Sequence, residues 1–155
     1  MNKINFKRLI ISLLIPLAVG TIAGLISMPF MDYGELIQPP LAPPGWLFPV
    51  VWTILYILMG ISFYLILESN NYDKDSSYAV YFLQLLVNGL WSIFFFVFKW
   101  RLFSIIWLLL LIVLIIIMLT RFYKVNKVAG LLQIPYLLWC IFALYLNIGI
   151  YILNY

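Results

Sequence analysis

The sequence predicts an all-α protein, an integral membrane bundle of five transmembrane helices. Three observations carry that reading. Hydrophobic residues make up 66% of the 155-residue chain. They fall in five continuous runs, at about 9–31, 46–67, 78–98, 102–120 and 128–152. No Asp, Glu, Lys, Arg or His lies inside any of these runs. A bilayer core of roughly 30 Å needs about 20 apolar residues per helical span. Helices and closed barrels are the only structures that satisfy their backbone in lipid. A barrel strand would alternate over about ten residues, whereas Leu108–Leu119 is apolar without interruption. The loops left over are short, so residues 1–155 read as a single membrane domain with no room for a soluble one.

The first run follows Lys3, Lys7 and Arg8 and has small residues at Ala18–Gly20, as a signal peptide would. It continues to Met31, beyond the length of a usual signal core, and is read as a retained span. Gly20 and Gly24 form a GxxxG pair. That spacing serves close packing within a bundle or a dimer contact. The loop from Asp32 to Gly45 holds Pro39, Pro40, Pro43 and Pro44, with Pro49 just beyond. Proline fixes φ and removes a donor, so this stretch is stiff and extended. It reads either as a binding lid or as a rigid connector.

In the second span Trp52, Tyr56 and Gly60 recur every four residues, with Trp46 at its entry. A polar link from Glu68 to Ser77 leads to the third span, where Gln84, Asn88, Trp91 and Phe95 share one face. A tight turn at Lys99–Arg101 precedes the fourth span, which is uniformly apolar. In the fifth, Pro135, Trp139, Ala143, Asn147 and Tyr151 are each four apart. Amides facing lipid are costly, so Gln84, Asn88 and Asn147 should point into the bundle. Trp46, Trp100, Tyr78 and Tyr155 lie at span ends and suit an interfacial belt. Trp52, Trp91 and Trp139 lie deeper. Indoles with a few amides suit a cavity for a flat aromatic ligand. The same residues also suit plain packing with interhelical hydrogen bonds.

Nine Lys and Arg against five Asp and Glu give a net charge of +4. Most of the basic residues flank spans, so the charge is topological and implies no nucleic-acid partner. With the amino terminus inside, Lys3, Lys7, Arg8, Lys74, Arg121, Lys124 and Lys127 lie inside, and only Lys99 and Arg101 outside. The positive-inside rule favours that arrangement. The short basic start suits a bacterial plasma membrane. Cys140 is the one cysteine, so no intramolecular disulfide forms. There is no histidine, which removes the usual triad and the histidine ligands of haem and zinc. No carboxylate lies within a span to relay protons. No phosphate-binding or dinucleotide fingerprint is present. An odd number of spans argues against an inverted-repeat transporter within one chain.

The stretch Pro39-Pro-Leu-Ala-Pro-Pro-Gly-Trp-Leu-Phe-Pro-Val-Val-Trp-Thr-Ile-Leu-Tyr56 resembles the hallmark segment of the TspO/translocator protein family. Gln84-Leu-Leu-Val-Asn-Gly-Leu-Trp91 with Phe94-Phe95, and Pro135-Tyr-Leu-Leu-Trp139 with Ala143 and Asn147, are similar to two further family segments in the same order. Tyr33 matches a family aromatic near the first loop. The resemblance spans about residues 10 to 152. It implies a five-helix bundle, often a homodimer, with a pocket near the first loop. That pocket takes porphyrins such as protoporphyrin IX, and also benzodiazepine and isoquinoline ligands. By matching motifs its residues are Tyr33, Pro43, Pro44, Trp46, Trp52, Tyr56, Asn88, Trp91, Trp139, Ala143 and Asn147. Some bacterial members promote light-dependent porphyrin breakdown, for which Trp52 and Trp139 are the matching redox candidates. No cofactor or metal is implied, since porphyrin is itself ligand or substrate. Carriage of tetrapyrroles or other amphiphiles, and stress sensing, are the alternative roles.

Two departures stand out. The end of the fifth span, Asn147-Ile-Gly-Ile-Tyr-Ile-Leu-Asn-Tyr155, lacks the basic residue of the cholesterol pattern found in animal members. Cholesterol binding is therefore not carried over. Asp32 stands where the family has the first member of an aromatic pair.

Overall fold

The computed structural model describes residues 4–155 and is all-helical, with no strand among the described residues. Helix α1 covers Phe6–Ser27 and ends in a 3₁₀ turn at Met28–Phe30. Helix α2 is Leu47–Leu67 and α3 is Lys74–Ser92, the latter continuing as a π-helical turn at Ile93–Val97. Helix α4 is Arg101–Val125, α5 the short Lys127–Leu131, and α6 Ile134–Asn154. These form five helical segments long and apolar enough to cross a membrane, the fifth comprising α5 and α6 together.

Local chemistry sets the boundaries. Asn5 caps α1 by accepting from the Arg8 N–H at 3.1 Å, satisfying one of the orphan amides of the first turn. Helix α4 runs five residues past the expected end at Thr120, taking in Arg121 and Lys124. It stops where Asn126 turns extended. The Asn126 side chain then accepts from the Ala129 N–H at 3.1 Å and starts α5. Pro135 sits in the first turn of α6, where its missing N–H costs nothing, and it prevents α5 and α6 from fusing. At the π turn the Phe98 N–H bonds back to the Ile93 carbonyl at 3.0 Å. Lys99, with φ of 55°, then reverses the chain tightly into α4.

The core lies between α2, α3, α4 and α6 around Met59, Tyr81, Ile115, Met118, Phe122 and Cys140, all fully buried. Exposed apolar residues run along the outer faces of the long helices, such as Ile22 on α1, Ile54 on α2, Leu86 on α3, Ile106 on α4 and Ile141 on α6, and suit contact with lipid. At the end bearing the amino terminus, Arg8 pairs with Glu68 at 2.9 Å, joining α1 to α2. At the opposite end the loop between α1 and α2 lies across the bundle, and its anchors define the site.

Candidate functional site

A cavity of about 670 Å³ occupies the half of the bundle beneath this loop. Its back wall is Asn88, Trp91, Ser92, Phe95 and Phe96 from α3 and the π turn, with Ala143, Leu146, Asn147 and Ile150 from α6. Its front is α1, through Gly20, Thr21 and Gly24, and α2, through Trp52, Thr53 and Tyr56. Tyr33, Gly34 and Gly45 of the loop close the end. The exposed members of the lining, among them Thr21, Leu25, Met28, Pro49 and Thr53, all come from α1, the loop or α2. The cavity therefore opens sideways between α1 and α2 and at the loop that joins them. The volume is that of a pocket for a drug-sized ligand.

Seven of the eleven residues expected from the sequence line this cavity: Tyr33, Trp52, Tyr56, Asn88, Trp91, Ala143 and Asn147. Four do not. Trp46 is 67% exposed at the amino end of α2, as a belt residue would be. Pro43 stands behind the lining and accepts from the Tyr33 hydroxyl at 3.0 Å, so it positions that ring. Pro44 is exposed on the loop. Trp139 lies in a separate shallow groove between α2 and α6 with Val51, Leu55 and Phe142, and reaches the main cavity only through Phe48, ring to ring at 5.8 Å. Of the two tryptophans that the resemblance pairs, Trp52 thus lines the cavity and Trp139 lies beside it.

A buried hydrogen-bond chain supports the back wall. The Tyr56 hydroxyl donates to Asn88 Oδ1 at 2.7 Å. Asn88 Nδ2 donates to the Tyr136 oxygen at 2.7 Å, and the Tyr136 hydroxyl donates to Gln84 Oε1 at 2.8 Å. Inside an apolar bundle such a chain is strong because the alternative is an unpaired polar group. It fixes the orientation of the Asn88 amide and leaves one Nδ2 hydrogen free for a ligand. Trp52 stacks on Tyr56 at 5.6 Å and meets Tyr136 edge-on at 6.1 Å. At the other end, Asn147 is held by the Ser104 hydroxyl at 3.2 Å. The Trp91 indole N–H has no partner in the protein, although its ring lines the cavity. Gly20 lets Tyr56 lie flat on α1, since a Cβ there would overlap the phenol ring. Of the GxxxG pair, Gly20 thus serves packing inside this bundle, whereas a Cβ at Gly24 would meet only open space beside the cavity.

The loop is bound to α6 and α4. Asn154 accepts from the Ile37 N–H at 2.9 Å and donates to the Ile37 carbonyl at 3.0 Å. The Tyr145 hydroxyl donates to the Pro40 carbonyl at 2.6 Å, and Pro39 packs directly on Gly149. Asp32 accepts from Arg101 Nη2 through both oxygens at 2.7 Å, with Lys99 Nζ at 3.3 Å. Burial pushes the Asp32 carboxyl up, but Arg101 and Lys99 together outweigh it and hold the group below its ordinary value. Burial alone raises the Tyr33 phenol. The loop is a covering element, held by contacts that the sequence does not display. Sequence reasoning also missed the α1 wall and the Tyr136 link. For the first, the GxxxG pair was the available signal.

An all-helical integral membrane protein with a ligand-sized aromatic cavity under a proline-rich loop is the class this fold defines. Comparison with known proteins makes it specific. The TspO/MBR family profile matches residues 12–153, and the chain belongs to that family. It is 36% identical to the tryptophan-rich protein TspO of Archaeoglobus fulgidus, over 97% of this chain and 99% of that one. It is 39% identical to the tryptophan-rich protein TspO of Chlorobaculum tepidum, covering 79% and 78% of the two chains. Identity to the protein CrtK of Rhodobacter capsulatus is 35%, over 84% and 83%.

Proposed function

We propose that this protein binds tetrapyrroles of the protoporphyrin type within the membrane and promotes their light-dependent oxidative breakdown. The reading extends to flat synthetic ligands of the benzodiazepine and isoquinoline kinds. The observation that carries it is the cavity itself: apolar, about 670 Å³, walled by Trp52, Trp91 and Tyr56, and supplied with the amides of Asn88 and Asn147. A flat macrocycle stacks on indole and phenol faces, while the amides take its few polar groups. The sideways opening between α1 and α2 suits entry of an amphiphile from lipid. The loop charges support an amino terminus on the inner side of a bacterial plasma membrane.

Breakdown balances with dioxygen as oxidant. The illuminated ring activates dioxygen, and both oxygen atoms add across one carbon–carbon bond of a methine bridge. That bond opens to two carbonyls with no external reductant. Trp52 and Trp91 both line the cavity; Trp52 lends an electron to the excited ring and recovers it once the oxygen has added, so that no net reductant is consumed. Trp139 is separated from it by Phe48 and acts at second hand. A second reading, passive carriage of amphiphiles, is favoured by the same sideways opening.

The test is an absorption and fluorescence time course of purified protein with protoporphyrin IX, in light and in darkness. Saturable binding with light- and protein-dependent loss of the porphyrin spectrum is expected. Trp52→Phe should abolish the loss with binding retained, whereas Trp139→Phe should leave part of it. Binding without breakdown would turn the reading to carriage, and absence of binding would overturn it.

A further inference from the structure

Arg101 is the one fully buried charged residue among the described residues, 2% exposed at the start of α4. Its guanidinium spends only Nη2 on Asp32. Nε and Nη1 are buried and have no partner. A guanidinium presents five donors in a planar fork suited to carboxylates, and it stays charged at any ordinary pH. Here much of that fork is unused. The local charge is also unbalanced: Arg101 and Lys99 both lie on the single carboxylate of Asp32.

This cluster adjoins the cavity on three sides. Met31 and Tyr33, on either side of Asp32, line it. The Arg101 guanidinium lies 4.0 Å from the centre of the Phe95 ring, and Phe95 is part of the cavity wall. One turn along α4, Ser104 bonds Asn147, another wall residue. The guanidinium is not itself part of the lining; it stacks on Phe95, which is.

We propose that Arg101, with Lys99, is an acid-recognising site at the loop end of the cavity, selecting flat apolar ligands that carry a carboxylate. The inference rests on the tetrapyrrole reading and adds to it a requirement for a free acid and an orientation. The acid edge of the ligand points to the loop and the start of α4, and its apolar edge points to Trp52. Asp32 is then both an anchor for the loop and a competitor for the same cation, so a ligand acid and Asp32 share Arg101.

The experiment compares protoporphyrin IX with its dimethyl ester, which keeps the ring and removes both charges. Binding is read by quenching of tryptophan emission in detergent, at low and high salt. The free acid should bind wild-type protein about tenfold more tightly than the diester, as expected for one charge-assisted contact. Asp32→Asn should widen that gap, Lys99→Met should narrow it, and Arg101→Met should close it. Should Arg101→Met fail to fold, the opposite signs at Asp32 and Lys99 decide. Equal binding of acid and diester, or a preference unmoved by these substitutions, overturns the inference and leaves the tetrapyrrole reading intact. Absence of binding by either compound overturns both.

Discussion

Tyr56 Oη and Asn88 Oδ1 lie 2.7 Å apart, and this bond joins the front wall of the cavity to its back wall. Replacing Asn88 by Leu leaves the Tyr56 hydroxyl without a partner, while Tyr136 keeps its bond to Gln84. Orphaned buried groups cost about 1–3 kcal/mol each. Asn88→Leu is expected to lower stability by about 1–3 kcal/mol, read as thermal unfolding in detergent, with weaker ligand binding. Tyr136→Phe removes only the far bonds and should cost about 1 kcal/mol.

Much of this was legible beforehand. Continuous apolar runs gave the five spans because lipid leaves helices few alternatives. Gln84, Asn88 and Asn147 are buried as expected, since an amide in hydrocarbon needs a partner. Trp139 was misplaced for a geometric reason. Residues four apart advance about 400° around a helix, so each step drifts by about 40°. From Trp139 to Asn147 the drift reaches about 80°, enough to turn Trp139 from the cavity wall towards Val51 and Leu55 of α2. The buried face of α6 is instead Tyr136, Cys140, Ala143, Asn147 and Ile150. The Asp32–Arg101 pair was invisible because it joins residues 69 apart in the chain, each of which reads alone as a loop charge.

Gly20→Ala should push the Tyr56 ring off α1 and into the cavity. Overpacking of this kind costs about 1–3 kcal/mol. Ligand affinity should fall with it, measured by titration of tryptophan quenching. An unchanged affinity would show that the ring has another place to go.

Asn154→Ala removes both bonds to Ile37 and should cost about 1–2 kcal/mol. The loop loses an anchor while the cavity wall stays intact. Ligand dissociation should accelerate more than association, and limited proteolysis should cut sooner within residues 32–45. Identical dissociation rates would mean that exit runs only between α1 and α2.

The Asp32 carboxyl is held below its ordinary value of 3.8 by Arg101 and Lys99. A depressed carboxylate contributes stability that is present above the unfolded value and lost as pH falls through the folded one. Unfolding midpoints should therefore be flat in this respect above about pH 5 and drop as pH falls below 3.8. Asp32→Asn should remove that part of the acid dependence and cost on the order of 3 kcal/mol at neutral pH, as for breaking a buried pair.

The clamp between Ile37 and Asn154 spans 117 residues of sequence. Chains are made and inserted from the amino terminus, so Ile37 is in place long before its partner exists. Until α6 has entered the bilayer the first loop is held only where Asp32 meets Lys99 and Arg101, and the space beneath it lacks its α6 wall. Entry of α6 and closure of the cover are therefore one event. A ligand present during synthesis meets an open vestibule, whereas one arriving later must pass a fastened door or slip in from the lipid.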